Sequence, residues 1–292
     1  MSKPAVILTI ISLAISVLSL SAQKKQALLM VHFGSTFDDT RAATIDVINR
    51  EAAKAFPDME VREAFTSRIV MKRLRERGIR KDSPRQALLR LAADGYEEVF
   101  VQSTNIIDGI EAAVLREEVE YMAPFFKEIR VGRPLLYSLD DCLQVCRILS
   151  DAYPASKNHS YVFVGHGTHT PANAIYSQID YMMKAEGRAD FQVCTVEGYP
   201  TLENVIKALR QNKEKSVTLV PFMFVAGDHA HNDIATDMCG RLQQEGFKAD
   251  AIMAGLGQMP SIRQLFIDHI RQGLVEKPLS PAELKRKFLS EQ

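Results

Sequence analysis

Short apolar runs alternate with longer amphipathic stretches through most of the chain, between residues 27 and 273. The runs are rich in Val, Ile, Leu and Phe, which is typical of strands buried on both faces of a parallel sheet. The intervals carry apolar residues at helical spacing, which predicts helices that cover those faces. The predicted strands are 27–32, 60–65, 98–102, 129–135, 161–165, 192–196, 217–223 and 249–253. The predicted helices are 41–56, 83–93, 111–122, 140–152, 172–185, 202–212, 231–245 and 261–273. The pattern therefore predicts an α/β fold.

The two halves of the chain carry similar motifs in the same order. ALLMVHFGST resembles YVFVGHGTHT, VREAFTS takes the place of QVCTVEGYP, and EVFVQSTNIIDGIE takes the place of VTLVPFMFVAGDHAHND. The offsets are roughly 120 to 135 residues, which indicates a duplicated domain. Two facing α/β lobes leave a cleft at the carboxyl ends of their strands, where such sheets bind ligands. We predict an N-terminal lobe at 23–137, a C-terminal lobe at 138–273 and a peripheral tail at 274–292.

The first 22 residues have the features of a secretory signal. Lys3 provides a positive start, residues 5–20 are apolar, and Leu20-Ser21-Ala22 forms a small-residue cleavage site. The apolar segment is short for a membrane span, which needs ~20 apolar residues. We predict that the segment is cleaved, so that the mature chain is periplasmic and makes no membrane contact. An uncleaved N-terminal anchor is the alternative.

Composition excludes some partners and leaves others open. The 36 basic residues balance the 36 acidic residues, so no electrostatic footprint for nucleic acid is visible, and a small ligand is favoured. Cys142 and Cys146 lie four apart on a predicted helix, a spacing that rarely allows a disulfide, and Cys194 and Cys239 lie on other predicted elements. We predict that all four cysteines are unpaired and serve packing. A homo-oligomer is left open by the sequence.

Three residues at predicted strand ends of the second half indicate metal chemistry. His166 lies in VGHGTHTP, Glu197 in TVEGYP and His229 in VAGDHAHND. Two imidazoles and a carboxylate suit a divalent first-row ion such as cobalt, iron, nickel or zinc. The first half offers apolar and hydroxyl groups plus Glu111 instead, which suits an organic ligand. No GxxxxGK[ST] or GxGxxG motif is present, so no nucleotide is predicted.

Six motifs in unbroken order carry a resemblance to a known family. FGST, AFTSRIV, QSTNIIDGIE, GHGTHTPANAIY, VEGYP and VPFMFVAGDHAHND resemble the sirohydrochlorin cobaltochelatases of anaerobic cobalamin biosynthesis. These enzymes are ATP-independent class II tetrapyrrole chelatases, similar in fold to ferrochelatase. The resemblance implies two flavodoxin-like lobes around a tetrapyrrole cleft, with Co²⁺ and a tetrapyrrole as substrates.

The resemblance also implies residue roles. His166 and His229 match the essential histidines, Glu197 completes the metal set, and Glu111 matches an acidic residue on the opposite wall. Our hypothesis is that the imidazoles hold the ion and one of them accepts a pyrrole proton. Glu111 then serves as a second base or as a proton exit on the other face. The catalytic residues are thus predicted to be His166, His229 and Glu111.

Tetrapyrroles of this class carry many carboxylates, which require hydroxyl or cationic contacts. Such groups follow the first-lobe strands, and Arg68 is the best suited to bidentate carboxylate binding. The predicted contacts are Ser35, Thr36, Ser67, Arg68 and Ser103.

Two departures from the family pattern keep alternatives open. His32 stands where the family commonly has a small residue, which raises the question of metal or substrate preference. Asn105 stands where relatives often have a histidine, which binds haem between subunits in an exported relative, so bound haem is not predicted here. The ligand set does not separate Co²⁺ from Fe²⁺ or Ni²⁺. Because cobalamin synthesis is cytoplasmic, a periplasmic protein that only binds metal, haem or another tetrapyrrole is the rival hypothesis. Glu111 separates the two, since only a chelatase needs a base on each macrocycle face.

Overall fold

The computed structural model describes residues 25–228, 230–276 and 281–290. The predicted signal at 1–22 and the predicted ligand His229 lie outside these residues. Two four-stranded parallel sheets form the framework, which confirms the α/β class and the eight predicted strands. The first sheet contains β1 (Gln26–His32), β2 (Glu60–Phe65), β3 (Glu98–Ser103) and β4 (Glu128–Val131). The second contains β5 (His159–Gly165), β6 (Phe191–Thr195), β7 (Ser216–Pro221) and β8 (Lys248–Ala251).

Both sheets have the same strand order, as the repeated motifs require. The orders are β2-β1-β3-β4 and β6-β5-β7-β8. Because the strands are parallel, their carboxyl ends lie along one edge of each sheet, and the register brings Gly165 level with Thr195. In the first sheet Val31 lies level with Ser103. The loops that follow these strands are therefore neighbours, which is the condition for a site at that edge.

The helices follow the predicted intervals with four differences. They are α1 (Asp38–Ala43), α2 (Ile45–Ala55), α3 (Arg68–Glu76), α4 (Pro84–Ala93), α5 (Ile110–Met122), α6 (Leu139–Ala152), α7 (Ala174–Ala185), α8 (Leu202–Gln211), α9 (Cys239–Gln244), α10 (Pro260–Val275) and α11 (Pro281–Ser290). The predicted helix 41–56 is interrupted at Thr44, and the predicted helix 231–245 begins as a π-helix at Ala230–Met238. Helices α3 and α11 were not predicted. Ser67 caps α3, because its hydroxyl accepts a hydrogen bond from the amide of Val70 (3.3 Å).

A shared apolar core joins the two lobes, each built around one of the sheets. Phe100 of the first sheet and Phe163 of the second belong to one cluster of buried side chains, with Phe266 of α10. Helix α10 lies within the predicted C-terminal lobe, yet it packs against β3 and α2 of the first lobe. Its Arg263 donates to both carboxylate oxygens of Glu51 (2.8 Å each). Helix α10 of the second lobe thus holds the first lobe in place against the second.

The four cysteines are unpaired and buried, as predicted. Burial raises the pKa of the Cys146 and Cys194 thiols to about 12, which keeps them protonated and unreactive. In the part of the chain that the structure describes, no helix has the length and apolar character to cross a membrane.

We expect opposite effects from alanine at two helical glycines. A Cβ on Gly273 of α10 would meet the Phe100 ring at 2.4 Å, whereas a Cβ on Gly240 of α9 would meet nothing within 4 Å. Gly273→Ala should lower the free energy of unfolding by roughly 1–3 kcal/mol through overpacking. Gly240→Ala should raise it by about 0.5–1 kcal/mol through helix propensity. Urea unfolding of both variants checks this, and a stabilised Gly273→Ala would contradict the close packing of α10 on β3.

Candidate active site

A cavity of about 380 Å³ lies between the lobes, at the carboxyl ends of the strands. Loops after β1, β2 and β3 form one wall, and loops after β5, β6 and β7 form the other. The described lining residues include His32, Ser35, Thr36, Ser67, Thr104, Asn105 and Glu111 from the first lobe, and His166, Thr168, His169, Glu197, Gly227 and Asp228 from the second. Six of the predicted site residues therefore line one cavity: Ser35, Thr36, Ser67 and Glu111 from the first lobe, and His166 and Glu197 from the second.

His166 and Glu197 come from adjacent strand ends and are tied through their backbones. The amide of Glu197 donates to the carbonyl of His166 at 2.8 Å. The His166 Nδ1 lies 3.2 Å from the carbonyl oxygen of Gly167, which only accepts, so Nδ1 carries the ring proton. The lone pair is then on Nε2, and an imidazole in this tautomer is a standard metal ligand.

Gly167 is required for this arrangement. Its φ is +87°, and a Cβ at this position would lie 1.4 Å from the Glu197 carbonyl oxygen. Asn173 braces the same two loops, because it accepts from the Thr168 amide (3.1 Å) and donates to the Tyr199 carbonyl (2.5 Å). The GHGT and VEGYP motifs thus encode one packed unit.

The loop after β7 carries the position of His229, which lies outside the described residues. Gly227 and Asp228 line the cavity directly before it. First-lobe side chains contact both sides of this segment: Arg73 Nη1 lies 2.5 Å from Asp228 Oδ2, and the Phe37 ring stacks on His231 with centroids 4.4 Å apart. Among described residues no group of three or more His, Cys, Asp or Glu side chains is placed to hold a metal ion. The predicted set includes His229, so it stays a prediction.

The predicted tetrapyrrole contacts divide into two groups. Ser35, Thr36 and Ser67 line the cavity. Arg68 is exposed, Ser103 is buried, and neither belongs to the lining. The residues after Ser103, Thr104 and Asn105, reach the cavity instead, because β3 extends one residue beyond its predicted end. The assignment of all five as carboxylate contacts remains a prediction.

His32 is a buried part of the cavity wall with both ring nitrogens engaged. Its Nε2 lies 3.0 Å from Asn49 Oδ1 and its Nδ1 lies 3.0 Å from Thr104 Oγ1. The Asn49 amide nitrogen donates to Glu63 (3.0 Å), which turns its oxygen toward His32 and places the ring proton on Nε2. Glu63 is in turn paired with Lys81. Burial lowers the pKa of His32 to about 4, so the ring is neutral, held by protein groups and not disposed to bind metal.

The charge of the cavity is one-sided. Glu111, Glu197 and Asp228 line it, while no Lys or Arg occurs among its described lining residues. Carboxylates concentrated in a partly enclosed space attract cations. The sequence analysis missed the apolar part of the lining, in which Phe33, Ile69 and Ile110 are exposed. Phe33 follows β1 directly, and Ile69 and Ile110 lie in the first turns of the helices that follow β2 and β3, which was the available signal.

Comparisons with known proteins confirm the resemblance seen in the motifs. Residues 26–275 match the model of the family described as cobalt chelatase (CbiK). The chain is 40% identical over 256 residues to sirohydrochlorin cobaltochelatase of Salmonella typhimurium (strain LT2), covering 86% of this chain and 97% of that protein. It is 31% identical over 256 residues to sirohydrochlorin cobaltochelatase CbiKC of Nitratidesulfovibrio vulgaris (strain Hildenborough). This match covers 84% of this chain and 89% of that protein. The solved structure of SirB from Bacillus subtilis with Fe³⁺ has the same fold, with a TM-score of 0.62 and 14% identity, covering 85% of this chain and 95% of that one.

We expect His32 to make stability depend on pH. Its pKa is about 4 in the folded chain against 6.5 for an unperturbed imidazole, so between these values the unfolded state binds more protons. The His32 contribution is complete above about pH 6.5 and is lost as the pH falls toward 4, by on the order of 3 kcal/mol. Urea unfolding of wild type and His32→Asn from pH 4.5 to 7 measures the difference. A slope that is equal in both proteins would show that His32 does not titrate in this way.

Proposed function

The chain belongs to the cobalt chelatase family, and on that premise we propose that it inserts Co²⁺ into sirohydrochlorin without ATP. One observation carries the proposal: His166 and Glu197 line one wall of a cavity whose other wall presents Glu111. This arrangement offers metal ligands on one side and a base on the other. The identity to curated sirohydrochlorin cobaltochelatases of nearly equal length supports the same substrates.

The second lobe holds the metal substrate. His166 presents the Nε2 lone pair, since Nδ1 faces the Gly167 carbonyl. Glu197, and the predicted ligand His229, would complete a set of two imidazoles and one carboxylate. The negative cavity offsets the cost of removing water from a dication. We propose that Fe²⁺ and Ni²⁺ compete for the same ligands, because the set does not discriminate among these ions.

Insertion also requires that two pyrrole protons leave the macrocycle. We propose that Glu111 accepts one, from the first-lobe wall at the start of α5. A histidine of the metal wall accepts the other once the ion has moved onto the ring nitrogens. His32 takes no part as a base, since both of its ring nitrogens are engaged. The bases then act from both faces of the ring, and binding supplies the positioning.

We further propose that the mature chain acts in the periplasm, after cleavage behind Ala22. The support is the signal-like N-terminus, with its positive start and small-residue cleavage site. We do not assign haem binding to Asn105, because a carboxamide is a poor haem ligand compared with an imidazole. The tetrapyrrole that reaches the enzyme in this compartment then defines its physiological role.

The activity is tested by anaerobic assays of the mature protein with sirohydrochlorin and Co²⁺, followed by absorbance. We expect His166→Ala to lower kcat/KM by ~100-fold or more through loss of a metal ligand. Glu111→Gln should lower kcat by ~100-fold while sirohydrochlorin binding is retained, because only proton transfer is removed. Fe²⁺ and Ni²⁺ are assayed in parallel to rank the metals.

Two matched variants serve as controls. Glu117 is exposed on the same helix as Glu111, and His159 bonds to Ser216 Oγ (2.9 Å) outside the cavity. Glu117→Gln and His159→Ala should keep wild-type rates. Binding of sirohydrochlorin with no acceleration by any metal, in wild type and Glu111→Gln alike, would contradict a chelatase and favour a binding protein.

The location is tested on the native protein. Export with cleavage should yield a periplasmic chain that begins at Gln23, which mass spectrometry of the fractionated protein identifies. A chain that retains Met1 in the cytoplasmic fraction would contradict export, and a membrane-bound chain with an intact N-terminus would favour the uncleaved anchor.

A further inference from the structure

The proposed substrate poses an electrostatic problem for the cavity. Sirohydrochlorin carries acetate and propionate carboxylates around its rim, whereas the described cavity lining contains Glu111, Glu197 and Asp228 and no Lys or Arg. Like charges in a partly enclosed space repel. The ring can therefore enter with its central nitrogens facing the metal wall only if its carboxylate arms point outward. The cation that receives them must stand at the cavity edge.

Arg73 stands at that edge. It lies on α3 one helical turn beyond Ile69 and Val70, both of which line the cavity, so the three side chains share a face. Its Nη1 lies 2.5 Å from Oδ2 of Asp228, a lining residue of the other lobe. The side chains are 53% and 41% exposed, so the guanidinium is open to solvent beside a carboxylate of the cavity lining.

We propose that Arg73 receives a carboxylate of the tetrapyrrole and that Asp228 occupies it in the absence of substrate. This inference rests on the proposed function. The structure shows one contact of the pair, Arg73 Nη1 to Asp228 Oδ2, whereas an incoming carboxylate can accept two parallel hydrogen bonds from the guanidinium. Because the resident pair is exposed, it contributes little stability, and its replacement is not costly. The released Asp228 stays solvated at the cavity mouth.

The surroundings of Arg73 favour it over Arg68, the guanidinium that the sequence suggested. Arg68 starts α3, and the residues one helical turn beyond it, Met71 and Lys72, are not among the described lining residues. Arg77, which follows α3 directly, already donates to the Thr36 carbonyl (2.5 Å) and to Asp38 (2.6 Å). Of these three arginines, Arg73 is the one that the structure pairs with a carboxylate of the cavity lining, Asp228.

The exchange predicts opposite effects from the two halves of one ion pair. Arg73→Gln should raise the KM and the Kd for sirohydrochlorin by about fivefold or more, as expected for loss of a charged hydrogen bond. Asp228→Asn should lower both by about twofold or more, because it removes the competitor and one negative charge of the cavity. Arg73→Lys, which keeps the charge but loses the fork, should fall between wild type and Arg73→Gln.

The readouts separate recognition from folding. Equilibrium binding of metal-free sirohydrochlorin, steady-state KM for each substrate and thermal unfolding are measured on the full mature chain. In Arg73→Gln, kcat and the KM for Co²⁺ should stay within about twofold of wild type. Arg271→Gln is the matched control, since Arg271 pairs with Asp268 at 2.6 Å and is similarly exposed at 51%. It should leave all values unchanged.

The outcomes distinguish this inference from the proposed function. If wild type inserts cobalt but Arg73→Gln and Asp228→Asn weaken sirohydrochlorin binding alike, or leave it unchanged, the pair is only structural and the inference is overturned. If wild type inserts no metal yet the two variants shift the Kd in opposite directions, the inference stands for a binding protein. Absence of measurable sirohydrochlorin binding by wild type would overturn both.

Discussion

The apolar core shared by the two sheets is the constraint on which the site depends. Phe100, Phe163 and Phe266 belong to one buried cluster, and α10 returns from the second lobe to pack on β3. Because protein interiors are close-packed and resist deformation, this contact fixes the distance between the two rows of strand ends. The cavity width, and with it the separation of Glu111 from the His166 wall, follows from this packing, which continues to the cavity wall through Phe222 and Phe224.

Charge is distributed in accordance with two unlike substrates. The described cavity wall carries carboxylates, which favour a dication, while the arginines of α3 remain outside at the edge. A tetrapyrrole has the complementary arrangement, with central nitrogens that bind metal and a rim of carboxylates. With Arg73 as the carboxylate contact that we propose, orientation of the ring requires no buried cation. Hydroxyls and apolar side chains can form the first-lobe wall without leaving an unpaired charge in a space of low dielectric.

The sequence by itself determined the fold class, the internal duplication and six of the residues that line the cavity, namely Ser35, Thr36, Ser67, Glu111, His166 and Glu197. Periodicity sufficed for this, because buried parallel strands are continuous apolar runs and their carboxyl ends must share an edge. The family followed from motifs that encode close backbone contacts, such as Gly167 against Glu197. Each motif is a short pattern that the sequence records, although the contact between the two motifs joins the loops after β5 and β6. The roles of His166, Glu197, His229 and Glu111 were carried over from that family.

Only the tertiary structure decided how distant segments meet. The crossing of α10 to the first lobe, the pairing of Arg73 with Asp228 and the engagement of both His32 nitrogens each join residues of different elements. Sequence spacing carries no signal for such contacts, so His32 was open as a metal-tuning residue, and Arg68 was predicted as a carboxylate contact while Arg73 was not considered. The choice between the two arginines depends on helix α3. Arg73 lies one turn beyond the lining residues Ile69 and Val70 and shares their face of the helix, whereas Arg68 lies outside that face.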